Sequence, residues 1–316
     1  MQVDQHIVNL DLPPYERWAF LQNHSDQIDE LIGCYLKDFS GEELIFENID
    51  FYKEAVVPLT YQQEISCIAA MCRFSENEVL IANLYYDILK FFFGCTAFAT
   101  YTGETMLHAR NLDWHTDNDL LSKHTCVFNF QKGGQTIFET IGWPGFIGAL
   151  SGTKPGCFSI TLNAVLSQDT PELDYPVSFL LRDVLEEAAN FDEAKTALEQ
   201  TTIASDCLLL LTGIHEHEAV VIERTPKRFA TRVGNETLVV TNDYKVLENG
   251  YTGEWNSLQS TSCNRLDRAN YLIMRELPKT KEDCINILRD GEIMMGITVQ
   301  QMVFDNHSGE ILVVKT

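Results

Sequence analysis

The stretch FFFGCTAFATYTGETMLHARNLDW, residues 91–114, marks the point where the pattern of the chain changes. The aromatic run before Cys95 ends a helical pattern, and the residues after it are typical of two short strands joined at Thr102-Gly103. Cys95 would begin the first strand, while Arg110 and Asp113 would lie on the second. We therefore expect these three side chains to face one another within one hairpin.

The rest of the chain predicts an α+β protein with antiparallel sheets. Residues 1–94 have mostly helical spacing, and Ser75-Glu76-Asn77-Glu78 is a capping-box pattern that opens the last of these helices, which we expect to end at Gly94. Further strands are expected within 125–143, 156–166, 206–233 and 237–244 and at the C-terminus, and helices within 175–201, 264–277 and 281–291. Hairpins that alternate with helices favour a sandwich over a parallel, doubly wound sheet.

Composition limits the classes of partner. The chain has 316 residues, of which 45% are apolar, enough for one large domain or two halves of one enzyme. Its 46 acidic and 23 basic residues give a net charge of −23. Such a surface repels phosphate backbones and anionic lipid headgroups, so we expect no nucleic-acid partner and no membrane binding.

The nine cysteines are odd in number and irregularly spaced, which is typical of a reducing compartment. The sequence has no Cys-x-x-Cys pair, and His215-Glu216-His217 is typical of a solvated turn rather than of a zinc site. A glycine-rich phosphate loop is likewise missing from the sequence. We therefore expect no metal and no cofactor.

The N-terminus and the most apolar run decide the expected location. MQVDQHIVNLDLPPYERW has no basic start followed by an apolar core, so no signal peptide is predicted. The run 79–93 contains Asn83, Asp87 and Lys90, and is too short and too polar to span a bilayer. The sequence therefore predicts a cytoplasmic protein without stable membrane insertion.

Cys95 suggests a specific kind of catalysis. A nucleophilic cysteine needs a base and donors for the developing oxyanion, and no papain-like signature surrounds this one. If the bond before Cys95 is cleaved, its own α-amine, with a reference pKa of about 7.7–8.0, can accept the thiol proton. An aspartate can then hold the amine, and an arginine can stabilise the thiolate or the oxyanion.

These residues resemble a known family. Cys95-Thr96 followed by HARNLDW (108–114) is similar to the N-terminal-nucleophile cysteine amidases: acid ceramidase and N-acylethanolamine acid amidase, with choloylglycine hydrolase and penicillin V acylase as relatives. The similarity extends over nearly the whole chain, through IVNLDLPPYERW, NEVLIANLYYD, GFIGALSGTKPGCFSITLN, ASDCLLLLTG and LVVTNDY. It implies an αββα four-layer sandwich and a precursor that cuts itself between Gly94 and Cys95. A mostly helical segment 1–94 and a catalytic segment 95–316 would then remain associated.

The resemblance also implies a role for each site residue. Cys95 would be the nucleophile and, once freed, the N-terminal base; Arg110 would lie beside its thiol, and Asp113 would bind the α-amine. Asn242 would help to form the oxyanion hole, and Arg265 would support the site electrostatically.

Asn163 corresponds to an asparagine at the active site of the choloylglycine branch. The sequence departs from the ceramidase group at Ala164, where that group has a glutamate, and at Gly94, where it has a bulkier residue.

Each residue also has a plainer interpretation. Cys95 would be a small core residue, and Arg110 and Asp113 would form a surface ion pair of little energetic value. Asn242 would be a turn residue, and Arg265 would pair with an exposed carboxylate such as Asp267.

The acyl group of a substrate needs an apolar slot. We expect Trp114, Trp143 and Phe146 to line it, the last two from a Pro- and Gly-containing loop. Phe91, Phe92 and Phe93 are more typical of plain core.

The sequence therefore predicts an amidohydrolase that cleaves the linear amide of an N-acyl lipid, such as an N-acylethanolamine or a ceramide, through an acyl-enzyme. One alternative is an acylase of the penicillin V or bile-salt type. Another is a homologue that binds lipid amides but does not process itself, as the loss of the glutamate at Ala164 would allow. A third is an unrelated thiol protein that senses oxidation at Cys95.

Overall fold

The computed structural model describes residues 3–41, 43–89, 93–116, 119–248 and 260–316. Its helices are α1 Ser25–Lys37, α2 Glu43–Val56, α3 Leu59–Ala69, α4 Glu76–Asn83, α5 Tyr85–Leu89, α6 Leu120–His124, α7 Val177–Glu187, α8 Phe191–Gln200, α9 Ser262–Arg275 and α10 Lys281–Leu288. Its strands are β1 Asp4–Asn9, β2 Phe93–Tyr101, β3 Met106–Trp114, β4 Cys126–Lys132, β5 Gln135–Gly142, β6 Ser151–Lys154, β7 Phe158–Asn163, β8 Cys207–Thr212, β9 Ala219–Arg224, β10 Phe229–Val233, β11 Thr237–Val240, β12 Thr298–Asp305 and β13 Ile311–Lys315.

Two sheets form the centre of the molecule. One has eight strands in the order β1-β4-β5-β6-β7-β8-β9-β10, and the other has five in the order β11-β2-β3-β12-β13. Within the described ranges, all strand pairings are antiparallel except that of β1 with β4.

The apolar clusters reveal four layers. Ala97 and Ala99 of the five-stranded sheet pack against Leu208 and Leu210 of the eight-stranded sheet, so the two sheets face each other. The outer face of the larger sheet packs on the N-terminal helices and on α7 and α8. The outer face of the smaller sheet packs on α9 and α10. The predicted αββα sandwich is confirmed.

Tight turns explain the hairpins. Gly103, between β2 and β3, has φ 94°, and Gly133 and Gly134, between β4 and β5, have φ 58° and 75°. These positive values are strained for residues with a Cβ atom, which is why glycine is found there. Both predicted hairpins form as expected.

The N-terminal part of the chain differs from the prediction in three places. Residues 4–9 form strand β1 rather than helix, because a parallel pairing with β4 buries Val8 while leaving Ile7 exposed. The predicted last helix begins with the expected capping box of Ser75 and Glu78, but it breaks at Leu84. Gly94 does not end a helix: it lies within β2, opposite Asp113.

Candidate active site

The thiol of Cys95 lies between the two sheets. Cys95 pairs with Leu112 across the hairpin, and Ala97 pairs with Arg110. Because side chains alternate along strands, Cys95 and Arg110 point to the same face. Their side chains meet there, with Nη2 of Arg110 3.3 Å from Sγ of Cys95, and both residues are fully buried.

Neighbouring strands hold the Arg110 guanidinium in place. Its Nη1 donates to the Leu150 carbonyl at 2.7 Å and to the Ser151 hydroxyl, and its Nη2 donates to the Leu162 carbonyl. A buried cation fixed in this way beside a thiol is the arrangement that stabilises a thiolate. It excludes the surface ion pair as an interpretation of Arg110.

Asp113 lies on the other face of β3, because it is three residues from Arg110, so its side chain does not face that of Cys95 as we expected. Its Oδ1 accepts a hydrogen bond from the Thr298 hydroxyl at 2.5 Å, while its Oδ2 has no hydrogen-bond partner among the described residues. The carboxylate packs against Gly94, where an added Cβ would lie 3.1 Å from Cβ of Asp113 and 3.3 Å from Oδ2. Burial raises the pKa of Asp113, and the charges of Arg265 and Arg110 and the Thr298 hydrogen bond oppose this effect.

Asn242 and Arg265 converge on the backbone of Cys95. The Asn242 Oδ1 accepts from the Cys95 amide at 3.1 Å and from Nη2 of Arg265 at 2.7 Å, while Nδ2 of Asn242 donates to the Ala164 carbonyl at 2.8 Å. The Arg265 Nη1 donates to the Cys95 carbonyl at 2.5 Å and to the Thr96 hydroxyl at 2.9 Å. Burial lowers the pKa of Arg265, and Asp113 and Cys95 oppose this effect.

Asn163 lies at the end of β7, in the eight-stranded sheet that faces this group. Its Nδ2 donates to the carbonyls of Thr241 at 2.9 Å and Val240 at 3.3 Å, which connects β7 to the segment that carries Asn242. Its Oδ1 is buried, with no hydrogen-bond partner in the described part of the chain. The residue therefore braces the site and also offers one open acceptor.

Sequence analysis overlooked two neighbours of the site. His108 lies on the same face of β3 as Arg110, and its ring nitrogens contact the hydroxyls of Thr212 at 2.9 Å and Thr161 at 2.8 Å. Burial and the Arg110 charge lower its pKa to about 3, so the ring is neutral and cannot act as a base near neutral pH. Thr298 is the second neighbour, and no local pattern in the sequence singles it out.

The expected substrate-binding aromatics form part of the core. Trp114 is buried and stacks on Tyr35 at a centroid distance of 5.3 Å, and Trp143 meets its ring edge-on at 5.6 Å. Trp143 donates from Nε1 to the Leu121 carbonyl, and Phe146 is only partly buried beside it. Phe91 and Phe92 lie outside the described residues.

A cavity of about 530 Å³ lies between residues from 45–88 and residues from 171–204. Its walls come from α2, from the region of α4 and α5, from the loop that follows β7 and from the loop before β8. They are mainly apolar: Ile45, Ile49, Phe51, Leu84, Ile88, Pro171, Leu173 and Ala204 line it together with Asn48, Tyr52, Asp87 and Glu172. Trp114, Trp143 and Phe146 are not among its lining residues.

None of the helices in the described ranges has the length and apolarity needed to cross a bilayer.

Together these contacts form a nucleophile site without a histidine base. The Cys95 thiol contacts the guanidinium of Arg110, and the Cys95 amide donates to Asn242. The Asp113 carboxylate packs against Gly94, and its Oδ2 has no hydrogen-bond partner among the described residues. Acyl transfer through a thioester is chemistry that such a set can perform.

Comparison with known proteins identifies a family and several relatives. The family model described as acyl-coenzyme A:6-aminopenicillanic acid acyl-transferase matches residues 100–314. Acid ceramidase of Balaenoptera acutorostrata scammoni is 30% identical over 253 residues, which are 70% of this chain and 63% of that protein. Human acid ceramidase is 29% identical over 256 residues, which are 71% of this chain and 64% of that protein. The chain therefore spans somewhat less than two thirds of the length of these relatives.

The structural comparison supports the fold. A solved structure of the Caenorhabditis elegans N-acylethanolamine-hydrolyzing acid amidase ortholog superposes with a TM-score of 0.57 and 24% identity, covering 70% of this chain and 100% of that one. At this identity the match shows the shared architecture. The family model covers more than half of this chain, so the chain belongs to the acyl-coenzyme A:6-aminopenicillanic acid acyl-transferase family.

Proposed function

We propose that this protein is an amidohydrolase that cleaves the linear amide bond of N-acyl lipids through Cys95. The observation that carries the proposal is the 3.3 Å contact between the Cys95 thiol and the buried guanidinium of Arg110. The similarity to acid ceramidases over 70% of the chain supports an N-acyl amide as the substrate class.

Self-cleavage would create the catalytic base. The thiol attacks the Gly94 carbonyl, the peptide nitrogen leaves with a proton as the α-amine of Cys95, and a thioester to Gly94 forms. Water then hydrolyses the thioester, which releases the carboxylate of residue 94 and regenerates the thiol. The new amine, with a pKa of about 7.7–8.0 in the absence of neighbours, can take the thiol proton in later turnovers.

The same groups would then process the substrate. The thiolate attacks the amide carbonyl, donors on Asn242 and Arg265 stabilise the oxyanion, and the departing amine takes the proton held by the α-amine. Water attacks the resulting thioester and releases the fatty acid. The open oxygen of Asp113 would hold the protonated α-amine between these steps.

The apolar cavity between the two segments supports a lipid acyl group. Its volume of about 530 Å³ falls within the range of about 300–1,000 Å³ that is common for small-molecule sites. We assign the acyl chain to this cavity in place of the buried Trp114 and Trp143.

An acylase of the penicillin V or bile-salt type is the second candidate. The description of the matching family, which names 6-aminopenicillanic acid, favours it. The mechanism would be the same, with an aryl or sterol acyl group and either water or an amine accepting it from the thioester.

Intact mass measurement under denaturing conditions tests the proposal. The wild-type chain should yield fragments 1–94 and 95–316 at some pH, whereas Cys95→Ala should remain a single chain. Cys126→Ala is the matched control, because Cys126 is also a buried strand cysteine but contacts the Gly142 carbonyl instead of an arginine. It should cleave normally.

Turnover then separates the candidates. Release of fatty acid from a long-chain N-acylethanolamide or ceramide, in preference to an aryl-acetamide or a bile-acid conjugate, supports the lipid amidase. The reverse preference supports the second candidate. A wild-type chain that stays intact at every pH and hydrolyses none of the four would refute both.

A further inference from the structure

Thr298 is the third member of a row that crosses the smaller sheet. Gly94 on β2 pairs with Asp113 on β3, and Asp113 pairs on its other side with Thr298 on β12. The Asp113 side chain therefore has the residue before the proposed cleavage bond on one side and a hydroxyl on the other.

An irregularity in β12 brings Thr298 into this row. Gln300 pairs with Leu112, so a regular ladder would place Val299 opposite Asp113, yet the register shifts and Thr298 takes that position. Val299 packs instead into the core cluster that also contains Cys95. Such bulges commonly redirect a side chain next to an active site.

The hydrogen bonds fix the direction in which the Thr298 hydroxyl donates. Its oxygen accepts from the backbone N–H of Met295 at 3.0 Å, and the loop at Met295 also places Sδ 3.3 Å from the position of a Cβ on Gly94. The hydroxyl proton therefore points to Oδ1 of Asp113, 2.5 Å away.

We propose that Thr298 is a positioning residue for the reaction: its hydroxyl binds Oδ1 of Asp113 and so turns Oδ2 towards the amine that cleavage before Cys95 would create. The inference rests on the proposed function and deepens it. Oδ2 has no hydrogen-bond partner among the described residues. It can therefore accept a hydrogen bond from the α-amine of Cys95 once cleavage has formed that amine.

The hydrogen bond from Thr298 also helps to keep the Asp113 carboxylate charged. The charged groups that act on the Asp113 carboxyl are Arg265 from α9 and, from the opposite face of β3, Arg110. Cys95 is a titratable neighbour of Arg265. Burial opposes these cations and raises the pKa of Asp113. Removal of the Thr298 donor should therefore raise this pKa further, because hydrogen bonds to a carboxylate favour its charged form.

Three variants test the role. Thr298→Val keeps the side-chain shape but removes the hydroxyl, whereas Thr298→Ser keeps the hydroxyl. Thr100→Val is the matched control, because Thr100 is buried in β2 of the same sheet and donates to the Pro278 carbonyl at 3.3 Å. Circular dichroism and the melting temperature report whether each variant folds.

The first readout does not depend on activity. Carboxyl-carbon NMR of the uncleaved Cys95→Ala chain, with Asp113→Asn used for assignment, should show the Asp113 titration moving up by about one pH unit in Thr298→Val. Thr298→Ser and Thr100→Val should titrate like the parent chain. An unmoved titration in Thr298→Val, or an equal shift in Thr298→Ser, would overturn the proposal.

The second readout is turnover by the cleaved protein. Thr298→Val should lower kcat about tenfold or more with KM nearly unchanged, and Thr298→Ser should restore most of it. A loss confined to KM would overturn the positioning role. If the wild-type chain neither cleaves nor turns over, the proposed function fails, and the NMR titration still decides whether Thr298 positions Asp113.

Discussion

Replacing Glu64 by glutamine is expected to lower the free energy of unfolding by about 3–5 kcal/mol, the usual cost of breaking a buried ion pair from one side. Glu64 on α3 and Arg182 on α7 are both fully buried, and their two hydrogen bonds measure 2.5 and 2.8 Å. The pair joins helices that lie on either side of the proposed cleavage bond.

The surroundings of Glu64 explain why glutamine cannot substitute. Besides Arg182, Arg17 donates to the carboxylate at 3.0 Å and the Trp18 indole donates at 2.7 Å. All three of these hydrogen-bond partners are donors, so the amide nitrogen of glutamine would face donors. The Arg182 guanidinium would keep its bond to the Ile147 carbonyl but would lose its anion.

The effect should depend on pH. Burial alone would raise the pKa of Glu64, but the charge of Arg182 and the hydrogen bonds from Arg182, Trp18 and Arg17 outweigh it, so the pKa is lowered. A carboxyl whose pKa is lower in the folded state stabilises the fold above its unfolded pKa of about 4.3 and loses this contribution as pH falls through the folded value. The difference between wild type and Glu64→Gln should therefore be largest near neutral pH and narrow below about pH 4.

Urea unfolding followed by tryptophan fluorescence measures the effect, in a Cys95→Ala background that keeps the chain continuous. Glu292→Gln is the control, since the Glu292 side chain is 69% exposed and lies 3.5 Å from Arg268. This surface pair should contribute less than about 1 kcal/mol. A loss in Glu64→Gln no larger than that of the control would refute the reasoning.

Three further substitutions test other parts of the structure. Ser75→Ala should lower the free energy of unfolding in urea by about 1 kcal/mol, because it removes the capping box of α4. An unchanged free energy of unfolding would mean that the cap is dispensable. Arg110→Lys should lower self-cleavage and turnover about a hundredfold in assays of the folded protein, because one amine cannot make all the contacts of the guanidinium beside the thiol; near-normal rates would remove the arginine from the mechanism. Gly152→Ala should lower the free energy of unfolding by about 1–3 kcal/mol, since its Cβ would lie 2.8 Å from the Glu139 carbonyl oxygen. Gly291→Ala, whose Cβ would meet no atom within 4 Å, should change the free energy of unfolding little. Equal melting temperatures of the two variants in thermal unfolding would contradict this.

Local sequence signals predicted the parts of the fold that depend on local chemistry. Gly103 and the Gly133-Gly134 pair adopt the positive φ angles that their hairpins require, and Ser75 caps its helix as the pattern indicated. Strand β1 escaped prediction because six residues with a single buried apolar side chain carry no clear period. A parallel partner far along the chain decides its structure.

The site residues likewise divide into those that local sequence predicts and those that depend on distant segments. Cys95 and Arg110 lie on adjacent strands of one hairpin, so strand alternation alone brings them together. Asn242 and Arg265 come from distant segments, and resemblance to the amidase family was needed to find them. Thr298 could not be found in either way, because its orientation depends on a register shift in β12.

Substrate binding by Trp114, Trp143 and Phe146 stays a prediction, although both tryptophans are buried. A tryptophan in a loop with proline and glycine suggested a pocket wall, yet Trp143 donates to a buried carbonyl and packs edge-on against Trp114. The apolar cavity has walls from α2, a helix that the sequence analysis did not identify. The division into segments 1–94 and 95–316, their self-cleavage and the cytoplasmic location stay predictions.

The parallel pairing of β1 with β4 has a consequence for production of the catalytic segment. β1 covers β4 along one side of the eight-stranded sheet, and β1 belongs to segment 1–94. A fragment 95–316 made by itself would present the bare backbone N–H and C=O groups of β4, and such unpaired strand edges template aggregation. We therefore expect the two segments to yield a folded protein that does not aggregate only when they are synthesised as one chain or refolded together.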